Sequence, residues 1–253
     1  LMSVDALDAH GHITSHGTML ANLPLPPNLA HMVALAAQSG QAEDAAMLAV
    51  LLQERGLGGQ GEDIETRFER FVRERGPKAD AARMLAQRIA RLCGASGDKQ
   101  MLSIGGLIGS AFPDRIAKRR DAKGEKWISA MGRGLQLDAA SLLARAEWLA
   151  VADVQGAASG ARILSAAALT EAEIIDRFGH RIESKQILTY DKSTDRVDAR
   201  VQRRLGAIVL SEGRVEKPDP QAVASALMAA VQDMGIDALP WPSSARALRE
   251  RAH

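Results

Sequence analysis

Along the first third of the chain, apolar residues recur at spacings of three, four and seven, the pattern of helices that bury one face. Leu29, Met32, Val33 and Ala36 share such a face, and Ala45, Leu48, Ala49 and Leu52 repeat it in a segment ending at Gly56. Gly58, Gly59 and Gly61 read as a flexible loop. Ile64, Phe68, Phe71 and Val72 line a third helix stopped at Gly76-Pro77, and Ala82, Leu85, Ala86, Ile89 and Leu92 line a fourth. Amphipathic helices joined by short links predict a small bundle. Ahead of it, Leu1 to Ala9 reads as the end of a helix stopped at Gly11. A short extended segment follows, then a short helix near Thr14 to Ala21 with Thr14 as its N-cap. Pro24, Pro26 and Pro27 enforce an extended corner, and Pro27 suits the first turn of the next helix.

The second half changes period. After a helical stretch near Met101 to Ala111, Pro113 breaks the chain. Arg115 to Arg120, Glu125 to Met131, Leu135 to Leu137, Trp148 to Val154 and Arg162 to Ala166 are short extended segments punctuated by glycines, which predicts a small β-barrel. Thr170 and Glu173 form a capping box opening a helix from Glu171 to Phe178. Residues 181–211 read as a long hairpin turning near Lys192 to Asp195. An amphipathic helix from Gln221 to Met234, closed by Gly235, precedes a turn docked by Trp241 and a last helix capped by Ser243 or Ser244. The chain starts at Leu1 without an initiating methionine and its last helix is cut at His253, so a longer parent protein is expected.

Composition narrows the class. Aromatics make up 3% of the 253 residues, so the cores are expected to be Leu, Ala, Ile, Val and Met. One cysteine, Cys93, excludes an internal disulfide and a Cys-based zinc site, and is read as a small buried hydrophobe suited to a reducing cytoplasm. No apolar run approaches the ~20 residues that span a bilayer. A net charge of +1 decides nothing about nucleic acid, so local clusters must.

The chemistry is mostly exclusion. There is no phosphate-cradling Gly-x-x-x-x-Gly-Lys-Ser/Thr loop and no Gly-x-Ser-x-Gly elbow, and Gly105-Gly106-Leu107-Ile108-Gly109 reads as a structural glycine-rich turn. His10, His12 and His16 lack a fourth metal donor and read as turn histidines. Neither a catalytic set nor a metal or cofactor site is expected here. Two basic groupings remain. Arg115, Lys118, Arg119, Arg120 and Lys123 lie on the first barrel strand and its turn, with Lys126 and Arg133 close behind, while Arg196, Arg200, Arg203 and Arg204 decorate the hairpin. Such clusters are the footprint of phosphate neutralisation. The competing reading is a solvated face with ion pairs to Asp114, Asp121 and Glu125, and charge alone does not separate the two. On the helix from Glu65 to Arg75, alternating charges at i,i+4 spacing read as solvated pairs.

The passage Leu7-Asp8, Gly11-His12-Ile13-Thr14, Gly17, Met19-Leu20-Ala21 and Leu23-Pro24-Leu25-Pro26 resembles the junction after the second motor domain of DExH-box helicases. Ala111-Phe112-Pro113-Asp114-Arg115-Ile116-Ala117-Lys118-Arg119-Arg120, Gly132-Arg133-Gly134, Trp148 to Asp153, Arg203 to Ala207 and Leu239-Pro240-Trp241 are similar, in the same order, to the HrpB subfamily of bacterial helicases. The resemblance implies an α+β, multi-domain accessory region. Residues 1–25 would be a winged-helix remnant, 26–100 a helical ratchet-like bundle, 101–179 an oligonucleotide-binding (OB)-like barrel with a capping helix, and 180–253 a β-hairpin plus the start of a C-terminal helical domain.

It further implies an ATP-driven 3′-to-5′ translocase as the parent, with ATP and Mg2+ in motor domains absent from this chain, and a cytoplasmic location away from membranes. The chain itself, without catalytic activity, would guide single-stranded RNA or DNA through Arg115, Lys118, Arg119, Arg120, Lys126, Arg133, Arg200, Arg203 and Arg204, and meet its own motor domains. Arg133, between two glycines, is the first choice for a phosphate contact. Stacking platforms are few (Phe112, Trp127 and Trp148), with Trp148 read as core, so contact is expected to be mainly electrostatic. A protein-docking module with a merely solvated basic surface is the alternative, and an independent enzyme the third reading.

Overall fold

The computed structural model describes residues 4–94, 101–156, 159–191, 193–194 and 196–235. The expected last turn and helix, with Trp241, Ser243 and Ser244, lie outside the described residues, as do Leu1, Met2, Ser3, Lys192 and Asp195. The chain divides into two units, Leu1–Ile182 with Leu205–Ile208, and Glu183–Arg204 with Val209–His253.

In the first unit the helical period translates directly. α1 (Ser15–Ala21) is capped by the Thr14 hydroxyl, which accepts from the Gly17 N–H. α2 (Pro27–Ala37) starts on its proline, and α3 (Ala42–Gln53) follows; Leu29, Met32, Val33, Ala36, Leu48 and Ala49 are buried between them and their neighbours. α4 (Ile64–Arg73) buries Ile64 and Phe71, and α5 (Pro77–Cys93) buries Ala79, Ala82, Ala86 and Ile89. Its seam is narrower than the sequence pattern suggests: Leu85 and Leu92, with Val72 of α4, are exposed. The loop before α4 is packed rather than free. Leu57 is buried, and Gly58 adopts φ +63° with a would-be Cβ 2.1 Å from the Arg67 carbonyl oxygen, a place only glycine fits.

Two stretches depart from the expected elements. Val4 is in a 3-10 turn but residues 5–9 are not helical: the Asp8 carboxylate accepts from the His10 and His12 N–H groups, an Asx turn that competes with the helix, and Leu7 pairs with Ile13 as an isolated bridge. Gly105 to Gly109 form no turn but the inside of a buried helix, α6 (Ile104–Ala111), capped by Ser103. A Cβ on Gly105 would meet the Ala168 carbonyl oxygen at 2.0 Å, and one on Gly109 the Phe178 ring at 2.7 Å. These glycines let α6 lie against the barrel on one side while it packs on α2 on the other.

The barrel is closed and five-stranded, in the order β1-β2-β3-β5-β4: β1 (Ile116–Arg119), β2 (Lys126–Ser129), β3 (Gly134–Gln136), β4 (Trp148–Gln155) and β5 (Ser159–Leu169). All pairings are antiparallel except β3 with β5. Inward-facing Ala117, Trp127, Leu135, Leu149, Val151, Ile163 and Ala166 fill it. Trp127 is buried with its indole N–H donating to the Gly124 carbonyl. Trp148, the other barrel tryptophan, is buried as expected. The capping box of α7 (Glu171–Phe178) forms as read, Thr170 and Glu173 each satisfying the other's backbone N–H.

The expected hairpin is a three-stranded sheet, β6 (Ile182–Asp191), β7 (Arg196–Leu205) and β8 (Ile208–Arg214), in that order, whose strands fall in the second unit apart from Ile182 and Leu205–Ile208. Gly206, at φ +57°, turns the chain between Leu205 and Ile208, so the apolar residues after Arg204 open a further strand. α8 (Pro220–Met234) ends at Gly235, φ +81°, as the sequence suggests, and buries no residue among those described.

Candidate nucleic-acid interface

The helical bundle is tied to the barrel where α4 begins. Glu62 accepts from the Ala166 N–H of β5 at 2.8 Å, Asp63 bridges to the same residue, and Asp63 caps α4 by accepting from the Glu65 N–H. Glu62 also pairs with Arg162 at 3.7 Å. This join fixes where the first turns of α4 stand against β4 and β5.

On β4 the register slips between Val151 and Asp153, leaving Ala152 as the extra residue of a bulge. The Arg115 side chain takes the Ala152 carbonyl at 2.6 Å, with its guanidinium 4.7 Å from the centre of the Phe112 ring. Arg133 leaves a tight turn whose Gly132 has φ +81°, donates its backbone N–H to the Ser129 hydroxyl oxygen, and donates from its guanidinium to the Gly156 carbonyl at 2.7 Å. Its Nε is buried without a partner. Arg115 and Arg133 line one cleft of 490 Å³, floored by Leu135, Val151 and Val154.

The decisive property is what each cation is bonded to. Arg115 and Arg133 are held by neutral carbonyls, so their charge stays uncompensated. Arg119 is held in the same way, by the carbonyls of Ala144 and Arg145. Arg120 and Lys126 are exposed, and their side chains meet no partner among the described residues. Lys118 differs: it lies 3.6 Å from Glu147 and over the Trp148 ring. The acids near the patch have other partners, although Asp114 lines the cleft beside Arg115 and Arg133. Asp114 pairs with Arg181 at 2.6 Å, and Asp121 accepts from the Glu125 and Lys126 N–H groups. Of the stacking candidates, Trp127 and Trp148 are buried and Phe112 lies under Arg115.

The hairpin arginines belong to the second unit and look different. Arg200 is bonded to Asp198 at 2.7 Å and to Glu212, and these carboxylates push its already high pKa further up. Arg204 donates to Gln202, which donates in turn to Glu212. Arg203 projects alone from the opposite face of the strand and is exposed. The second unit therefore carries a largely self-neutralising network, whereas the barrel does not.

One residue of this kind escaped the sequence reading. Arg67, on the helix taken to be a ladder of solvated pairs, turns inward. Among the described residues its side chain makes only long bonds, to the Leu57 carbonyl and the Ser165 hydroxyl at 3.5 and 3.4 Å, and its Nε is buried and unpartnered. Burial pushes its pKa down. No i,i+4 ion pair forms within α4 among the described residues. The only sequence signal was its position one turn after Ile64, on the buried side of the helix.

The remaining candidates gain no chemistry. His16 turns from the other turn histidines to share a 2.8 Å hydrogen bond with His31, and no group of three or more metal-ligating side chains exists among the described residues. Cys93 is half-buried, and burial pushes its thiol pKa up. No described helix is long and apolar enough to cross a membrane.

No protein-family model matches the chain. It is 29% identical over 254 residues to the ATP-dependent RNA helicase HrpB of Escherichia coli strain K12, a match covering 99% of this chain and 30% of that protein. Two crystal structures of E. coli HrpB, described as a DExH-box NTPase and as a DEAH/RHA helicase, superpose with TM-scores of 0.75 and 0.73. Their identities are 28% and 25%, over 98% of this chain and 30% of each of theirs. The chain thus spans about a third of the length of the relatives it matches, and the resemblance to HrpB-type DExH-box helicases read from the motifs holds over nearly all of it.

Proposed function

We propose that this chain is the accessory, strand-guiding region of an HrpB-type ATP-dependent helicase, and that it grips single-stranded RNA or DNA by its phosphates. Residues 1–25 act as a winged-helix remnant, the bundle of residues 26–100 as the ratchet-like wall, and the OB-like barrel as the opposite wall. ATP and Mg2+ are bound by the motor domains of the parent, against which this region works, in the cytoplasm. One observation carries the reading: Arg115 and Arg133 share a cleft and are fixed by carbonyl oxygens, so both are oriented while keeping their charge for a ligand. With its tryptophans buried, the barrel offers little for bases to stack on, which favours backbone contact with little base preference.

Fluorescence anisotropy of a labelled single strand tests this. Binding that weakens steeply with salt and varies little with sequence is expected; no binding at low salt refutes it. The docking alternative draws on the exposed Met84, Leu85 and Leu92 of α5. It requires capture of a protein partner that survives removal of the barrel arginines.

A further inference from the structure

Arg67 stands in a slot of its own. Between α2, α3, α4 and the bulged edge of β4 lies a cleft of 370 Å³, within the ~300–1,000 Å³ common for ligand sites. Arg67, Asn28, Ser165 and Asp153 supply its polar lining, and Leu29, Leu52 and Phe112 its apolar walls. The Asn28 amide, half-buried, engages no partner among the described residues. Ser165, itself buried, accepts from Arg67 and keeps its hydroxyl proton to donate. Asp153 receives the Val154 N–H and makes no ion pair with Arg67.

A guanidinium half-withdrawn from water, with one nitrogen orphaned and no carboxylate bonded to it among the described residues, is a costly arrangement. Nothing in the packing demands it: the two bonds Arg67 does make are at the outer limit of hydrogen-bond length. The bulge that displaces Ala152 also sets Asp153 and Ser165 at the slot, and the Arg115–Phe112 pair borders it. Phe112 thus lines the slot of Arg67, while Arg115, stacked on its ring, lines the cleft of Arg133.

We infer that this slot is an oxyanion site, in which Arg67, with Asn28 and Ser165, takes one phosphate of the single strand whose neighbouring phosphates meet Arg115 and Arg133. Arg67 is then a contact from the bundle side, so the strand is held by both walls at once. This rests on the reading of the chain as a single-strand binder, and extends it to a residue outside the basic clusters.

Two substitutions test it on the 253-residue chain, with Arg133→Gln for reference and a labelled uridine oligonucleotide as probe. Arg67→Met keeps the bulk and removes the charge. It should lower affinity about fivefold at 0.1 M salt and flatten the logarithmic salt slope by about 0.7, the value of one single-strand phosphate contact. Its melting temperature should match or exceed that of the parent chain, because a half-buried charge with an orphaned nitrogen has gone. Asp153→Asn retains the bond from Val154, relieves the repulsion of a phosphate, and should tighten binding several-fold. Unchanged binding in Arg67→Met with a loss in Arg133→Gln overturns the slot and leaves the strand-guiding reading standing. Unchanged binding in Asp153→Asn also overturns it. No binding by the parent chain overturns both.

Discussion

If orientation by neutral groups is what marks a phosphate-binding arginine, Arg133→Gln and Arg200→Gln should behave very differently although each removes one positive charge. Arg133 is bonded to the Gly156 carbonyl, whereas Arg200 spends its charge on Asp198 and Glu212. Release of condensed counterions gives a slope of about −0.7 in log affinity against log salt for each single-strand phosphate neutralised. One lost contact is thus worth about 10^0.7, or fivefold, at 0.1 M salt relative to 1 M. Arg133→Gln should show that loss and a slope flatter by about 0.7. With Arg67, Arg115 and Arg133 all engaged, the parent slope should be at least about −2. Arg200→Gln should change the slope hardly at all, since the screening length at 0.1 M salt is about 10 Å and only direct contacts release counterions. Anisotropy titrations at four or five salt concentrations measure all three slopes. Equal losses in the two variants would show that net charge alone drives binding and would refute the distinction drawn from their partners.

Other consequences concern stability. Gly105→Ala places a Cβ 2.0 Å from the Ala168 carbonyl oxygen, so α6 must leave the barrel; a loss of about 3 kcal/mol or more in denaturant unfolding is expected, and a near-neutral result would mean that α6 does not lie where described. Trp127→Phe should cost about 1–2 kcal/mol more than Trp148→Phe, because Trp127 donates to the Gly124 carbonyl while the Trp148 N–H is buried without a partner; reversal of that order in thermal melts would contradict the assignment. Burial, then its neighbour His16, pushes the His31 pKa below the ordinary histidine value. In the window from about 6.5 downward the unfolded chain therefore binds the extra proton, so stability is full above that window and is lost as pH falls through it. A midpoint lower at pH 5.5 than at 7.5, and a smaller drop in His31→Gln, are the expected outcomes, and identical pH profiles would refute them.

Much of the fold was legible because it depends on short-range pattern. Proline-initiated helices, the Thr170–Glu173 box, the barrel segments and the Gly235 stop all rest on residues within a few positions of one another. What escaped was set at a distance. Gly105 and Gly109 look like turn formers until β5 and Phe178 are brought against them, which makes their missing side chains the reason a helix fits. Leu85 and Leu92 keep helical spacing but lose the core to Ala82, Ala86 and Ile89, because small residues let the helix come close. Leu205 and Ile208 read as one strand until Gly206 adopts a positive φ. At the interface, spacing located the basic residues but could not assign their partners. Nothing in the sequence says that Arg200 meets Glu212 across a strand, or that Asp114 is already spent on Arg181.

That asymmetry explains why the two basic clusters, both conspicuous in the sequence, separate in the folded chain. In β7 the arginines alternate with Asp198 and Gln202 on one sheet face and lie across from Glu212, so pairing follows from strand geometry with no further requirement. Around the barrel the chain supplies carbonyls instead: Ala152 at a bulge, Gly156 at a turn, Ala144 and Arg145 at the end of a short helical turn. Each arises where the regular ladder is interrupted, which frees an acceptor without adding a negative charge. A guanidinium docked on such a carbonyl loses conformational freedom but little of its field, and so meets a phosphate already oriented. The interruptions of the barrel are thus what turn a basic sequence into a directed one, and Arg67, reaching the same edge from the bundle, is subject to the same rule.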